Sequence, residues 1–306
     1  MDRVLAGDLP IGDEYPPRIM GVLNVSLESP YDPSVFADPE AAARYVDRSL
    51  IAEGADIVDI GLASANRRLD VLEPDAELER LKVALEVIDR VAGEAVFSIE
   101  TRYASVADAA LSAGFEMVND VCGFADPEMA GVCRDHDAAV VKMASPPDLE
   151  RPGAVEEIDW ERRRGAEWAR NASHVDMVDA ALGADPMTEQ TILDPAFGRW
   201  SEAQDLAGDR ALFRSLERFR AHGRPLLVSI NRKNFLGEIV DRPTEKRLSA
   251  SLAATALAID RGVHVVRTHD VEATLDAVRV ADRLRGDDGP ELESSPGASI
   301  ARESVD

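Results

Sequence analysis

Polar and charged side chains recur along this chain directly after short apolar runs, and their types suit two kinds of chemistry. Carboxylates and carboxamides can bind a heterocycle whose edge presents adjacent N–H donors and a carbonyl, as an amino-pyrimidinone does. Basic side chains suit a diphosphate, because they hydrogen-bond its charged oxygens. The residues in these positions are Asn24, Glu100, Asn119, Asp120, Asp194, Lys233, Arg267 and His269. We therefore predict a site for a heterocycle and a diphosphate.

Asn24 ends the apolar run 19–23 and places a carboxamide where a substrate phosphate could lie. Its oxygen is a hard donor of the kind that Mg²⁺ prefers, and protein-bound Mg²⁺ often bridges to substrate phosphates. We accordingly predict that Asn24 is a Mg²⁺ ligand. The alternative is an asparagine that hydrogen-bonds within its own loop.

The other positions also have structural explanations. Asp194 precedes a proline and could cap a turn, and Glu100 could pair with Arg102. Lys233 could be a solvated turn residue, but the chain has so few lysines that each one is a stronger candidate for a role. His269 could be a phosphate ligand or a helix cap. What favours the functional interpretation is the order of these residues around one predicted fold.

Eight apolar runs, each followed by a helix-like stretch, organise the chain. Runs of this length between helical segments indicate buried parallel strands in βα units. Eight units in about 270 residues predict an α/β protein with a (β/α)8 TIM barrel, whose active sites lie at the carboxyl ends of the strands. The runs are residues 19–23, 57–60, 96–99, 117–118, 138–141, 191–193, 226–230 and 263–266. The candidate residues then meet at one end of the barrel.

We predict one domain over residues 1–285, because no internal segment is rich enough in Gly, Ser or Pro to divide the chain. Residues 286–306 are polar and acidic, and we expect them to form a flexible tail. No P-loop or Gly-x-Gly-x-x-Gly motif follows a predicted strand, so a nucleotide-binding fold lacks its main support. Cys122 and Cys133 are expected to be reduced and structural.

The net charge of −24 argues against nucleic acid or an anionic membrane as a partner. No stretch approaches the roughly 18 apolar residues that cross a bilayer, and the N-terminus lacks the layout of a signal peptide, so we expect a cytoplasmic protein. Among the 34 basic residues lysine is rare. Together with the charge this indicates a halophilic protein from a high-salt cytoplasm, where salt screens the repulsion. An ordinary acidic protein is the alternative.

Together these residues resemble dihydropteroate synthase, within the wider pterin-binding barrel family, over about residues 18–284. The most specific stretches are Ile-Met-Gly-Val-Leu-Asn-Val-Ser (19–26), Val-Asn-Asp (118–120), Ile-Leu-Asp-Pro (192–195), Asn-Arg-Lys (231–233) and Arg-Thr-His-Asp (267–270). The resemblance implies a transferase of folate biosynthesis. Such an enzyme joins a dihydropterin-methyl diphosphate to p-aminobenzoate or a related arylamine and releases diphosphate. We also expect a homodimer.

The resemblance assigns a role to each matching position. It implies that the pterin is bound by Glu100, Asn119, Met143, Asp194 and Lys233, with Glu100 standing where the family has Asp. It implies that the diphosphate and Mg²⁺ are bound by Asn24, Arg267 and His269. The catalytic residues would be Lys233, Asp194 and Arg267.

The chain departs from the family pattern on the side of the amine acceptor. Residues 26–34 replace Thr-Pro-Asp-Ser-Phe-Ser-Asp-Gly-Gly, and residues 63–68 replace Glu-Ser-Thr-Arg-Pro-Gly. Residues 194–201 likewise replace Asp-Pro-Gly-x-Gly-Phe-Gly-Lys. Arg67 or Arg68 could stand in for the lost loop arginine. An altered second loop could also admit a substituted ring, so the acceptor is p-aminobenzoate or a larger arylamine.

Two other activities stay open. A non-catalytic pterin-binding paralogue would retain the pocket and lose the acceptor loops. A corrinoid-dependent pterin methyltransferase of the same barrel family would need no diphosphate site, so Asn24, Arg267 and His269 argue against it.

The charge leads to a first prediction. The screening length grows from about 3 Å at 1 M salt to about 10 Å at 0.1 M, so diluting KCl restores repulsion among surface carboxylates. The melting temperature should therefore fall as KCl is diluted from molar concentration, and activity should fall with it. Thermal melts over a KCl series measure this. A midpoint that stays constant or rises on dilution would contradict the halophilic interpretation and would mean that Arg–carboxylate pairs offset the excess charge.

Overall fold

The computed structural model of the protein describes residues 3–25, 34–36, 38–63, 72–144, 173–198 and 205–285. Within these ranges the strands are β1 (Val4–Ala6), β2 (Leu9–Ile11), β3 (Arg18–Asn24), β4 (Ile57–Gly61), β5 (Val96–Thr101), β6 (Met117–Asp120), β7 (Ala139–Met143), β8 (Thr191–Asp194), β9 (Leu227–Val228) and β10 (Val265–Thr268). The helices are α1 (Pro39–Tyr45), α2 (Pro74–Ile88), α3 (Ala104–Ser112), α4 (Met129–Asp135), α5 (His174–Leu182), α6 (Leu206–Arg214), α7 (Leu216–Phe219), α8 (Asn234–Val240), α9 (Leu248–Asp260) and α10 (Val271–Leu284).

Strands β3 to β10 form one parallel sheet in the order β8-β7-β6-β5-β4-β3-β10-β9. A parallel bridge between Leu193 and Leu226 joins the two ends of the sheet, and the Leu193 N–H donates to the Pro225 carbonyl at 2.9 Å. The sheet is therefore closed, and helices alternate with its strands around the outside. The predicted (β/α)8 barrel is confirmed, and each predicted apolar run overlaps a barrel strand.

Successive side chains of a strand point to opposite faces of the sheet, and this alternation separates two apolar clusters. In β4, Val58 and Ile60 belong to the outer cluster between the barrel and its helices, whereas Ile57 belongs to the inner one. The barrel residues of the inner cluster are Met20, Ile57, Val96, Met117, Ala139, Val141, Ile192, Leu227 and Val265. Most residues further along the same faces are polar, with Val22 and Met143 as exceptions, so the lumen becomes more polar toward the carboxyl ends of its strands.

The antiparallel hairpin β1–β2, for which the sequence analysis made no prediction, packs on the apolar end of the lumen. Its contributions to the inner cluster are Val4, Ala6 and Ile11. Behind the hairpin, the buried imidazole of His264 accepts a hydrogen bond from the Leu226 N–H at Nδ1 (3.0 Å) and contacts Asp13 at Nε2 (3.0 Å). Asp13 also pairs with Arg220 at 2.7 Å. These contacts fasten the hairpin to the end of the barrel opposite the predicted site.

Local sequence signals position the helices. α1 begins at Pro39, and the Asp38 carboxylate caps it by accepting from the Ala41 N–H at 2.9 Å. α9 begins at Leu248, shortly after a 3₁₀ turn formed by residues 244–246. No helix among the described residues is long and apolar enough to span a bilayer. Both cysteines are buried thiols.

Several predictions concern residues outside the described ranges. They are the acidic tail 286–306, residues 26–33 of the first altered loop, residues 64–68 of the second, and residues 199–201 of the altered strand-eight segment. These stay predictions, as does the boundary between domain and tail.

Candidate active site

A cavity of about 120 Å³ lies at the carboxyl ends of the barrel strands. The resemblance assigned a role to eight residues, and seven of them line this cavity: Glu100, Asn119, Met143, Asp194, Lys233, Arg267 and His269. Phe197, Ser229 and Asn231 complete much of the remaining wall. The strand ends thus bring carboxylates, a carboxamide and basic groups to one small volume, while the roles assigned to them stay predictions.

Asn24, the predicted Mg²⁺ ligand, ends β3 but does not line this cavity. Its Nδ2 donates to Oγ of Ser34 at 3.1 Å, which fixes the orientation of the carboxamide. Its Oδ1 faces Gly61 so closely that a Cβ at that position would lie 2.6 Å away. Glycine at the end of β4 therefore makes room for the Asn24 oxygen.

Glu100 pairs with Arg267, and the alternative pairing with Arg102 was wrong. The Arg267 Nη2 donates to Oε2 of Glu100 at 2.7 Å across the mouth of the barrel. Arg102 lies instead near Glu77 on α2, where burial raises the pKa of the carboxyl and the charge of Arg102 offsets part of that rise. Glu100 faces the lumen, whereas Thr101 donates to Glu77 on α2, so the sequence neighbours of Glu100 are not its spatial neighbours.

Asp59 is a site residue that the sequence analysis missed. It is fully buried in the middle of β4, with 0% of its surface exposed. Its Oδ2 accepts hydrogen bonds from Nε of Arg267 (2.7 Å) and Nδ2 of Asn119 (2.9 Å), and its Oδ1 accepts from Oγ of Ser98 (2.8 Å). One sequence signal could have revealed it: Asp59 is an acidic residue inside the apolar run 57–60. A buried carboxyl group needs polar partners, and the lumen is where a barrel strand can provide them.

Arg267 is held between two carboxylates. Burial alone would lower the pKa of its guanidinium, but the charges of Asp59 and Glu100 raise it above its ordinary value. The guanidinium therefore stays charged, with its Nε and Nη2 donors directed away from any ligand.

The two strand-end aspartates, Asp120 and Asp194, make different contacts. Asp120 accepts from the backbone N–H groups of Cys122 (2.8 Å) and Phe124 (2.6 Å), so both of its oxygens shape the following loop. Burial raises the pKa of Asp120 to about 6. Asp194 accepts from the Ala196 N–H through Oδ1 at 2.8 Å and lines the cavity. Asp194 is thus placed for a ligand, whereas Asp120 is a structural residue.

Lys233 reaches the cavity from the loop after β9, and neighbouring contacts fix that loop. Arg232 has a left-handed backbone (φ 52°), and its guanidinium binds both oxygens of Asp270 at 2.8 Å. Asn231 donates to the same carboxylate at 2.9 Å. Arg232 itself does not line the cavity. Because Asp270 follows His269 in the chain, these bonds tie the Lys233 loop to the end of β10.

His269 is half-buried and lies among cations. Burial, and then the charges of Arg267, Lys233 and Arg232, lower the pKa of the imidazole to about 3. At neutral pH it is therefore a neutral hydrogen-bonding group. The sequence analysis counted His269 among the basic residues that suit a diphosphate. The lowered pKa means that the imidazole is neutral instead.

Comparison with known proteins agrees with this geometry. A family model described as pterin binding enzyme matches residues 20–269. The chain belongs to this family. The match extends from the third residue of β3 to the residue after β10, so it includes part or all of each of the eight barrel strands and every predicted site residue.

Relatives within the pterin-binding family cover most of the chain. It is 33% identical over 281 residues to a dihydropteroate synthase of Mycobacterium leprae, covering 87% of this chain and 92% of that one. It is 35% identical over 268 residues to a probable bifunctional folylpolyglutamate synthase/dihydropteroate synthase of Halobacterium salinarum, covering 87% of this chain. The chain spans about a third (31%) of that relative's length.

A solved structure of a Thermus thermophilus dihydropteroate synthase in complex with 4-aminobenzoate is also similar. It is 30% identical in sequence, with a TM-score of 0.71, and the match covers 93% of this chain and 100% of the other. The similarity therefore extends over the barrel as a whole and not over a single motif.

A buried carboxylate behind the site generates a second prediction. Glu77 on α2 is 1% exposed and accepts from Oγ1 of Thr101 at 2.6 Å, and burial raises its pKa to about 7. Below about pH 5 the wild-type group is neutral, as Gln would be, whereas at pH 8 the wild type must bury an ionised group. Glu77→Gln should therefore gain stability relative to wild type as the pH rises from 5 to 8.

Urea unfolding at several pH values in constant KCl measures this difference. Glu79→Gln is the matched control, because Glu79 lies on the exposed side of the same helix. A Glu77→Gln difference as independent of pH as that of the control would show that Glu77 is ionised throughout this range.

Proposed function

We propose that this chain is a dihydropteroate synthase-like transferase. It joins a dihydropterin-methyl diphosphate to p-aminobenzoate or a related arylamine, forming a C–N bond and releasing diphosphate. The observation that carries the proposal is the convergence of Asp194, Asn119 and Lys233 on one cavity at the barrel mouth. Membership of the pterin-binding family supports it.

The pterin is recognised through its hydrogen-bonding edge. Asp194 is an ionised acceptor for adjacent ring N–H donors, and Asn119 can serve one donor and one acceptor. Lys233 donates to a ring carbonyl or nitrogen. Met143 and Phe197 supply apolar contacts to the ring, and Phe197 is itself held by stacking on Phe235 at a centroid distance of 5.8 Å.

The reaction requires no covalent intermediate with the protein. The bond between the methylene carbon and the diphosphate oxygen breaks, the amine nitrogen bonds to that carbon, and the nitrogen loses a proton. The pterin ring shares the positive charge left on the methylene, so no protein nucleophile is required. The protein contributes orientation, and it stabilises the charge that develops on the leaving diphosphate.

The diphosphate end of the site combines a charged and a neutral group. Arg267 offers the N–H groups that Asp59 and Glu100 do not occupy, and His269 offers a neutral imidazole N–H. A bound diphosphate would raise the pKa of His269, because a nearby anion favours the imidazolium. The imidazole of His269 therefore carries more positive charge with the anion bound than without it.

Mg²⁺ fits this site as an ion that arrives with the diphosphate. Among the described residues no group of three or more His, Cys, Asp or Glu side chains could hold a metal alone. Asn24 supplies one carboxamide oxygen, which suits an ion whose other ligands are water and phosphate. Bound there, Mg²⁺ would neutralise charge on the leaving group.

The acceptor is the least constrained part of the proposal. p-Aminobenzoate is our first choice, because the similar Thermus thermophilus structure contains 4-aminobenzoate. The altered loops favour a substituted ring as the second choice.

A third prediction tests the function. Purified protein in molar KCl with Mg²⁺, dihydropterin-methyl diphosphate and a panel of arylamines should release diphosphate. Asp194→Asn should retain the bond from the Ala196 N–H but lose the charged acceptor of the pterin. Its pterin affinity should fall by about 2–4 kcal/mol, measured by calorimetry.

Asp205→Asn is the control, because Asp205 caps α6 by accepting from the Gly208 N–H at 2.9 Å. Equal pterin affinities of the two variants would refute the pterin site. Pterin binding without diphosphate release from any amine would instead indicate the non-catalytic paralogue.

Two further properties belong to the proposal. We place the protein in a high-salt cytoplasm, which its charge of −24 supports. We also propose a homodimer through α9 and α10. Leu257 on α9 is 55% exposed, and Val280 and Leu284 on α10 are 57% and 80% exposed. α9 carries no charged residue before Asp260, so two acidic chains could approach there without repulsion.

A fourth prediction tests the dimer. Leu257→Glu should place two carboxylates in the interface and give a monomer in analytical ultracentrifugation. Lys82→Glu on the exposed face of α2 should leave the mass unchanged. A monomeric wild type, or a dimer that survives Leu257→Glu, would rule out this interface.

A further inference from the structure

Asp59 is connected to the cavity only through the residues that it hydrogen-bonds. It does not line the cavity, yet two residues that do, Asn119 and Arg267, both donate to its Oδ2. Its other oxygen is occupied by the Ser98 hydroxyl. Three donors around a fully buried carboxylate offset the cost of its burial, one of them a guanidinium.

The contact with Asn119 decides which end of the amide faces the cavity. A carboxylate is an acceptor and cannot donate, so the amide nitrogen of Asn119 must turn toward Asp59. The amide oxygen is then left for the ligand, with one N–H beside it. Were the amide reversed, two oxygens would face each other inside the lumen.

The contact with Arg267 decides where that guanidinium lies. Arg267 starts from β10, but its partners are on β4 and β5, so its side chain crosses the lumen instead of staying at its own strand. Asp59 holds Nε, and Glu100 holds Nη2. Two anchors on a planar group leave it little freedom to rotate.

We propose that Asp59 is a positioning residue that sets the ligand-facing orientation of both Asn119 and Arg267. This inference rests on the proposed function, since it explains how the heterocycle and diphosphate ends of one site are fixed relative to each other. One oxygen atom serves both residues, so a displacement of Asp59 disturbs both ends together.

Asp59→Asn tests the inference. An asparagine removes the negative charge that pairs with Arg267, and its amide oxygen must then accept from both Arg267 and Asn119 as a weaker, neutral acceptor. Affinity for 6-hydroxymethyl-7,8-dihydropterin, measured by calorimetry in molar KCl, should fall about tenfold or more. For the diphosphate substrate, KM should rise and kcat should also fall, because Arg267 is displaced at the leaving group.

Asp56→Asn is the matched control. Asp56 is a half-buried aspartate directly before the same strand, but at the opposite end of the barrel, where its Oδ2 accepts from the Ile19 N–H at 2.8 Å. This variant removes a half-buried charge from the same segment and should lower the melting temperature without changing pterin affinity. If Asp59→Asn does not fold, Ser98→Ala takes its place, because it frees one oxygen of Asp59 and should weaken pterin binding several-fold.

A double-mutant cycle separates positioning from general damage. If Asp59 acts through Asn119, then Asp59→Asn should cost less pterin affinity in an Asn119→Ala background than in wild type. The same cycle with Asp56→Asn should be additive. Additive losses for Asp59 and Asn119, or equal pterin affinities for Asp59→Asn and Asp56→Asn, would overturn the inference. A wild type that binds no dihydropterin would instead refute the proposed function itself.

Discussion

A charge inside the barrel is stable only where opposite charges or several donors surround it. This constraint organises the lumen. Its lower part is apolar, and its first carboxyl group, Asp59, is fully buried and accepts from three donors. Arg267 then links Asp59 to Glu100 at the mouth. The site is thus built upward from one carboxyl group, whose hydrogen bonds connect β4 to β5, β6 and β10.

The fold was predictable from sequence because strands buried on both faces must be apolar throughout, which makes them visible as runs. The chemistry was predictable for a related reason. Parallel strands end at the same edge, so Glu100, Asp194 and Lys233 had to meet if the barrel was correct. Neither step required knowledge of a single side-chain contact.

Contacts across the lumen could not be predicted in this way. Arg267 reaches strands two and three positions away in the sheet, so sequence proximity suggested Arg102 for Glu100 instead. Asp59 was counted within an apolar run, because pattern alone does not separate a lumen face from a helix-facing one. The scarcity of lysine was only a partial guide to functional residues. Lys142, another of the few lysines, is buried and has a structural role, because it donates to the carbonyl oxygens of Leu182 and Ala184 near the end of α5.

The hairpin β1–β2 has a kinetic consequence. It packs against the apolar end of the lumen and is fastened there by Asp13, His264 and Arg220, so the cavity is blind-ended. A ligand must therefore enter and leave by the same opening, and the group bound deepest in the cavity leaves last. A product that keeps the heterocycle competes with the next substrate for the innermost position, so product inhibition is inherent in this architecture, and turnover depends on how readily the mouth releases the larger, joined molecule.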